Sequence, residues 1–151
     1  HFANRNGLIE AVIDDYVEDL VESVIVWNEA RVFGDTPGSL RKCIRTFRYS
    51  LYDGAGRPRP VIAVLEELGV RDAFDVRATR ETADCLANHI AKEYAAYHRI
   101  EIELVHEMFC VVIFGLVGLV KMNPRIEDDV LMKVIEQTLR LDMAPIGKGE
   151  G

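Results

Sequence analysis

This chain of 151 residues has three cysteines, one tryptophan, no glycine-rich loop and no run that sustains β-type alternation. Cys43, Cys85 and Cys110 are odd in number and widely spaced. They make neither a disulfide framework nor a paired zinc knuckle, and they fit a reducing, cytoplasmic setting. Serine occurs only at Ser23, Ser39 and Ser50, none in a Gly-x-Ser-x-Gly turn, so no catalytic residue is expected and the chain does not read as an enzyme. Without strands there is no strand-to-helix phosphate loop, and no cofactor motif follows. Basic residues are in deficit: 18 Lys and Arg against 25 Asp and Glu give a net charge of −7. A surface of that sign repels phosphate, so these residues alone make a poor nucleic-acid binder. No secretory leader is seen at the start, which falls on His1 and reads as the edge of a fragment. The longest apolar run, Met108 to Val120, has thirteen residues. At about 1.5 Å per residue it spans roughly 20 Å against a hydrocarbon core of roughly 30 Å, so it is expected to be a buried helix and no membrane partner is expected.

What is present is helical periodicity. Leu8, Ile9, Val12, Ile13, Tyr16, Val17, Leu20, Val21, Val24 and Ile25 recur in steps of three and four, with Asp14, Asp15, Glu18, Asp19 and Glu22 mostly opposite. This predicts a helix from Asn6 to Arg31, closed by Gly34 and the Asp35-Thr36-Pro37-Gly38 turn. Ser39 is the expected N-cap of a second helix burying Leu40, Cys43, Ile44, Phe47 and Leu51. Arg57-Pro58-Arg59-Pro60 opens a short third helix through Val61, Ile62, Leu65 and Leu68, stopped by Gly69. The stretch from Asp75 to Met122 is too long for one helix in a small domain, and a break is expected between His98 and Glu103. Asn123 as cap and Pro124 at the first position predict a last helix running to Leu141. The fold class is therefore all-α, with about six helices.

Several residue groups bear on function. Glu103 and His106 have the Glu-x-x-His spacing of a di-iron bundle, but the motif occurs once where such a centre needs it twice, so no metal is expected. Cys85, His89 and Glu93 share one helix edge and read as the flank of an apolar face. Arg41, Lys42, Arg45 and Arg48 line the outer side of the second helix, where the acidic side of the first helix is the simplest partner. Gly115 and Gly118 call for a reason, because glycine inside a helix costs about 1 kcal/mol against alanine. Close approach of another helix supplies one. The surrounding run is apolar all round, and a homodimer packing its last two helices into a four-helix interface would cover it, with Phe114, Gly115, Gly118, Leu131 and Val134 at the contact. Trp27, Phe47, Tyr49, Tyr52, Phe74, Tyr94, Tyr97, Met108 and Phe109 suit either a core or an apolar ligand pocket with a few orienting groups; periodicity does not separate the two.

The opening His1-Phe2-Ala3-Asn4-Arg5-Asn6-Gly7-Leu8 resembles the segment joining the helix-turn-helix to the regulatory domain in TetR-type (tetracycline-repressor-like) regulators. His1, Phe2, Arg5 and Leu8 match that pattern at its spacing, while Gly7 stands where the family often has an acidic residue. The close motif covers about a dozen residues; beyond it the likeness is one of helix order and of the Phe-Gly-Leu-Val-Gly run before the final helix. The resemblance implies that 1–5 end a DNA-binding domain lying before His1, that 6–143 form a ligand-binding and dimerisation domain, and that 144–151 are a flexible tail. It implies a homodimeric regulator, in the usual family sense a repressor, with Arg5 near a DNA phosphate and a small apolar effector among Trp27, Phe47, Tyr94, His98 and Met108. Its rivals are a metal-dependent helical-bundle enzyme and a helical adaptor that dimerises without a ligand.

Overall fold

The computed structural model describes residues 4–32 and 34–144, and all the regular structure among them is helical. His1 and Phe2 of the opening motif lie outside the described residues, as does the expected tail beyond Ala144. Six helices follow in order. α1 spans Arg5–Ala30, α2 Thr36–Leu51 and α3 Pro60–Glu67. α4 runs as Arg71–Cys85, passes through a π-helical turn at Leu86–Ile90 and finishes as Ala91–Ala95. α5 is Val105–Met122 and α6 is Asp128–Leu139.

The helix starts follow from local chemistry. The Asn4 carboxamide accepts the Gly7 N–H at 2.8 Å, so α1 is capped although its first turn carries no acidic residue. α2 begins earlier than expected, because Asp35 is the N-cap instead of Ser39. Its carboxylate accepts the Gly38 N–H at 3.0 Å, and Pro37 fits a first turn whose N–H groups need no partner. Ser39 is thereby drawn inside α2 and buried. Gly69 ends α3 with φ +73°, a left-handed position that glycine takes without steric cost. The break inside the long fourth region falls at residues 96–104, as the brief alternation of Arg99 to Glu103 suggests. The last helix starts four residues later than expected. Asn123 and Pro124 form a separate turn in which Asn123 accepts the Arg125 and Ile126 N–H groups, and the helix begins at Asp128.

α4 is central, packing on α1, α3 and α5, while α2 bridges α1 and α6. Phe74 of α4 meets Tyr16 of α1 with ring centroids 5.6 Å apart, and Ile44, Ile62, Leu65, Val17, Val120 and Leu131 close the core around them. The basic side of α2 pairs with α6, not with α1: Arg48 and Arg45 approach Asp128 at 2.8 and 3.8 Å, and Arg41 meets Asp129 at 2.7 Å. The positive first turn of α6 concentrates the acidic residues there, which makes that end the nearest counter-charge. The acidic side of α1 is answered by Arg77 on α4, through Asp14. At the start of α4, the buried Arg71 guanidinium is held by Asp75 and Glu66 at 2.8 and 2.9 Å, and Lys121 of α5 reaches Asp75 at 3.1 Å.

α5 is longer than the thirteen-residue run because Val105–Glu107 and Lys121–Met122 join it. By length and composition alone it could cross a membrane. In this fold Val112, Leu116, Val117 and Val120 are sunk in the core, and the opposite side is open.

Candidate effector cavity and exposed face

A cavity of about 270 Å³ lies between α1, α2, α4 and α5, with the 96–104 connection over one end. Four of the five residues singled out in the sequence as a ligand pocket line it: Trp27 from α1, Phe47 from α2, Tyr94 from the end of α4, and His98 beyond it. Met108 does not. It packs on the core beside the cavity, and its neighbour Phe109 faces inward instead, a step of one residue rotating the helix by about 100°.

The polar tips at this site are nearly all engaged by the protein. The Trp27 indole N–H donates to the Ser39 carbonyl at 2.8 Å, pinning α1 to α2. The Tyr94 hydroxyl accepts the Asp142 N–H at 2.8 Å, and the Tyr94 ring stacks on His98 at 4.4 Å. Arg31 lies 5.8 Å above the Trp27 ring and pairs with Glu93. His98 Nδ1 faces Asp142 at 3.4 Å, whereas its Nε2 is buried with no hydrogen-bond partner. The Ala144 N–H, together with His98, holds the Asp142 carboxyl below the usual carboxylate value. Cys43 is also in the wall, and burial pushes its thiol up to about 11, so it is a packing group and not a nucleophile.

Two further parts of the wall lie outside the expected pocket. Ile100 and Ile102 come from the irregular connection, where two alternate residues of an extended segment turn to one side. Leu86 and Ile90 come from the π-helical turn, which inserts one residue's worth of rotation and re-aims everything after it. The first had a signal in the Ile-Glu-Ile alternation; the second had one in the steps of four that set Leu86 and Ile90 on one apolar face with Tyr94.

The metal-type spacings do not converge. Glu103 is exposed, and His106 Nε2 lies 2.7 Å from Asp84 on α4. Of the Cys85, His89 and Glu93 edge, Cys85 is buried, His89 is exposed, and Glu93 is taken by Arg31 and Asn28. No group of three or more metal-ligating side chains comes together among the described residues.

The residues expected at a dimer contact divide. Leu131 turns inward and is fully buried in the chain's own core, because α6 must cover Ile44 and Val120 with that side. It therefore drops out of the expected contact. Phe114 and Gly115 are exposed, and Gly118 and Val134 are partly so. With Val111 (59% exposed), Phe114 (44%) and Met122 (77%), they make an apolar stripe along α5 at spacings of three and four, continued by Val130 on α6. A Cβ on either glycine would meet nothing within 4 Å, so the chain's own packing does not require them. Arg5 stands exposed in the first turn of α1.

Comparison with protein-family models, with curated proteins and with solved structures gives no match.

Proposed function

We propose that this chain is the regulatory part of a ligand-responsive transcription regulator of TetR-like type, in which a small, largely apolar effector and a homodimer interface jointly set the tilt of α1. The observation that carries the reading is the cavity, because its walls include the two helices such a device must couple. One is α1, which would lead toward DNA-reading residues before His1; the other is α5, which bears the exposed apolar stripe. An occupant touching Trp27 and Phe109 at once has a hand on both. It shifts the balance between two tilts only to the extent that it binds one of them more tightly.

Two further features support the reading. Val111, Phe114, Gly115, Gly118 and Met122 suit a symmetric four-helix contact, with the glycines allowing close approach. Arg5 beside an α1 N-terminus suits a phosphate, since the helix dipole favours an anion there. The reading needs no cofactor and no catalytic residue, and it places the protein in the cytoplasm.

Titration of Trp27 fluorescence with a panel of aromatic, cyclic and aliphatic compounds tests it. Saturable binding that Phe47→Ala weakens is the expected outcome. A panel in which nothing moves either the emission or the melting temperature would leave the effector reading without basis. Light scattering at micromolar concentration should give a dimer mass.

A further inference from the structure

His98 is the unpaid debt of the cavity. Its side chain is only 6% exposed, it lines the cavity, and Nε2 is buried without a hydrogen-bond partner. Buried polar atoms are normally paired, so an orphan in a cavity wall points to a group that occupies the cavity. Asp142 fixes which group that is. Its carboxylate only accepts, so the facing Nδ1 carries a proton, and the tautomer protonated there presents a lone pair at Nε2. The partner that suits this tautomer is a donor. The charges around this end are Arg31, Glu93 and Asp142, one positive and two negative, which disfavours an anionic head.

The rest of the cavity is long and apolar. Its lining on α4 includes Phe74, Thr79, Leu86, Ile90 and Tyr94, residues spread over roughly 30 Å of helix at about 1.5 Å per residue. A volume of about 270 Å³ whose lining is spread over that length of α4 suits a single extended chain better than a compact fused-ring body. We propose that the cavity takes an extended aliphatic molecule ending in a neutral hydroxyl, with the O–H donated to His98 Nε2 and the chain laid along α4 toward Phe74. This deepens the effector reading above and rests on it.

Calorimetry on the 151-residue chain with four probes tests the assignment: 1-decanol, its methyl ether, decanoate and 1-hexanol. Decanol should bind at least tenfold more tightly than the ether, although the ether has one more carbon, and more tightly than decanoate. Hexanol should be weaker by about fourfold per missing methylene. His98→Phe, which keeps the ring stack on Tyr94, should bind decanol and ether alike, and His98→Gln should restore part of the preference. Equal binding of decanol and ether by the wild type overturns the role of His98. Tighter decanoate overturns the neutral head, and hexanol as tight as decanol overturns the extended chain. If none of the four binds, the proposal fails; the effector reading fails with it only if the compact compounds of the fluorescence panel are silent too. Should His98→Phe not fold, the wild-type decanol-to-ether ratio decides alone.

Discussion

Replacing Asp75 by alanine probes a buried ionic cluster. The Asp75 side chain is 8% exposed and accepts from Arg71 Nε at 2.8 Å and Lys121 Nζ at 3.1 Å, joining the start of α4 to the end of α5. Removing one partner of a buried pair costs about 3–5 kcal/mol, chiefly because the other charge is left without compensation. Here Arg71 keeps Glu66 at 2.9 Å, and Lys121 is exposed enough to swing into water, so the loss belongs at the low end, about 3 kcal/mol. For a chain of this size that corresponds to a fall in melting temperature of roughly 6–12 °C. Urea denaturation followed by circular dichroism measures it. Glu81→Ala, which breaks the part-exposed Arg77 pair, should cost under about 1 kcal/mol in the same assay. The paired replacement Arg71→Met with Asp75→Leu should recover most of the loss, since an apolar pair of similar volume needs no desolvation. A cost for Asp75→Ala no larger than that for Glu81→Ala would refute the argument from burial.

Three other perturbations have defined outcomes. Arg140 ends α6 with φ +50° and is exposed, so Arg140→Gly should raise stability by about 1 kcal/mol through relief of the left-handed strain, seen as a higher urea midpoint. The Cys43 thiol titrates at about 11 in the folded chain, from an ordinary value near 9. The unfolded chain gives up this proton first, so stability should fall by about 2 kcal/mol as pH rises from about 9 to about 11, and Cys43→Ala should remove that slope. Phe114→Glu puts a charge into the exposed stripe of α5 without touching the core; light scattering should then report a monomer, while the wild type reports a dimer.

The helical class and the order of the elements were legible because a stripe such as Ile9, Ile13, Tyr16, Val17 and Leu20 states both its period and its buried side. Caps were less legible. Ser39 and Asp35 both qualify as N-caps by type, and only the preference of Pro37 for a first turn decides between them. The turn at Asn123 and Pro124 carries the signals of a helix start, yet Arg48 draws the chain aside there by binding the Ile126 carbonyl, and the helix waits for Asp128. At the cavity, the pocket implied by the resemblance included Trp27, Phe47, Tyr94 and His98, which all line the wall, but misplaced Met108 by a single step. The sequence offered no hint of the π-helical turn, which depends on how α4 meets its neighbours. For the exposed face, the two glycines were the informative residues, whereas Leu131 could not be told from a surface leucine until α6 was docked.

The central claim is that an effector in the cavity moves α1 within a dimer. It is tested most directly by a spin–spin distance measurement with a nitroxide on Glu10→Cys, exposed near the start of α1, after the three native cysteines are replaced by alanine. The account predicts one defined distance between the two protomers, shifting as the compound that most alters Trp27 fluorescence is titrated to saturation. Absence of any inter-protomer distance, or a distance unchanged while the compound is demonstrably bound, would contradict it.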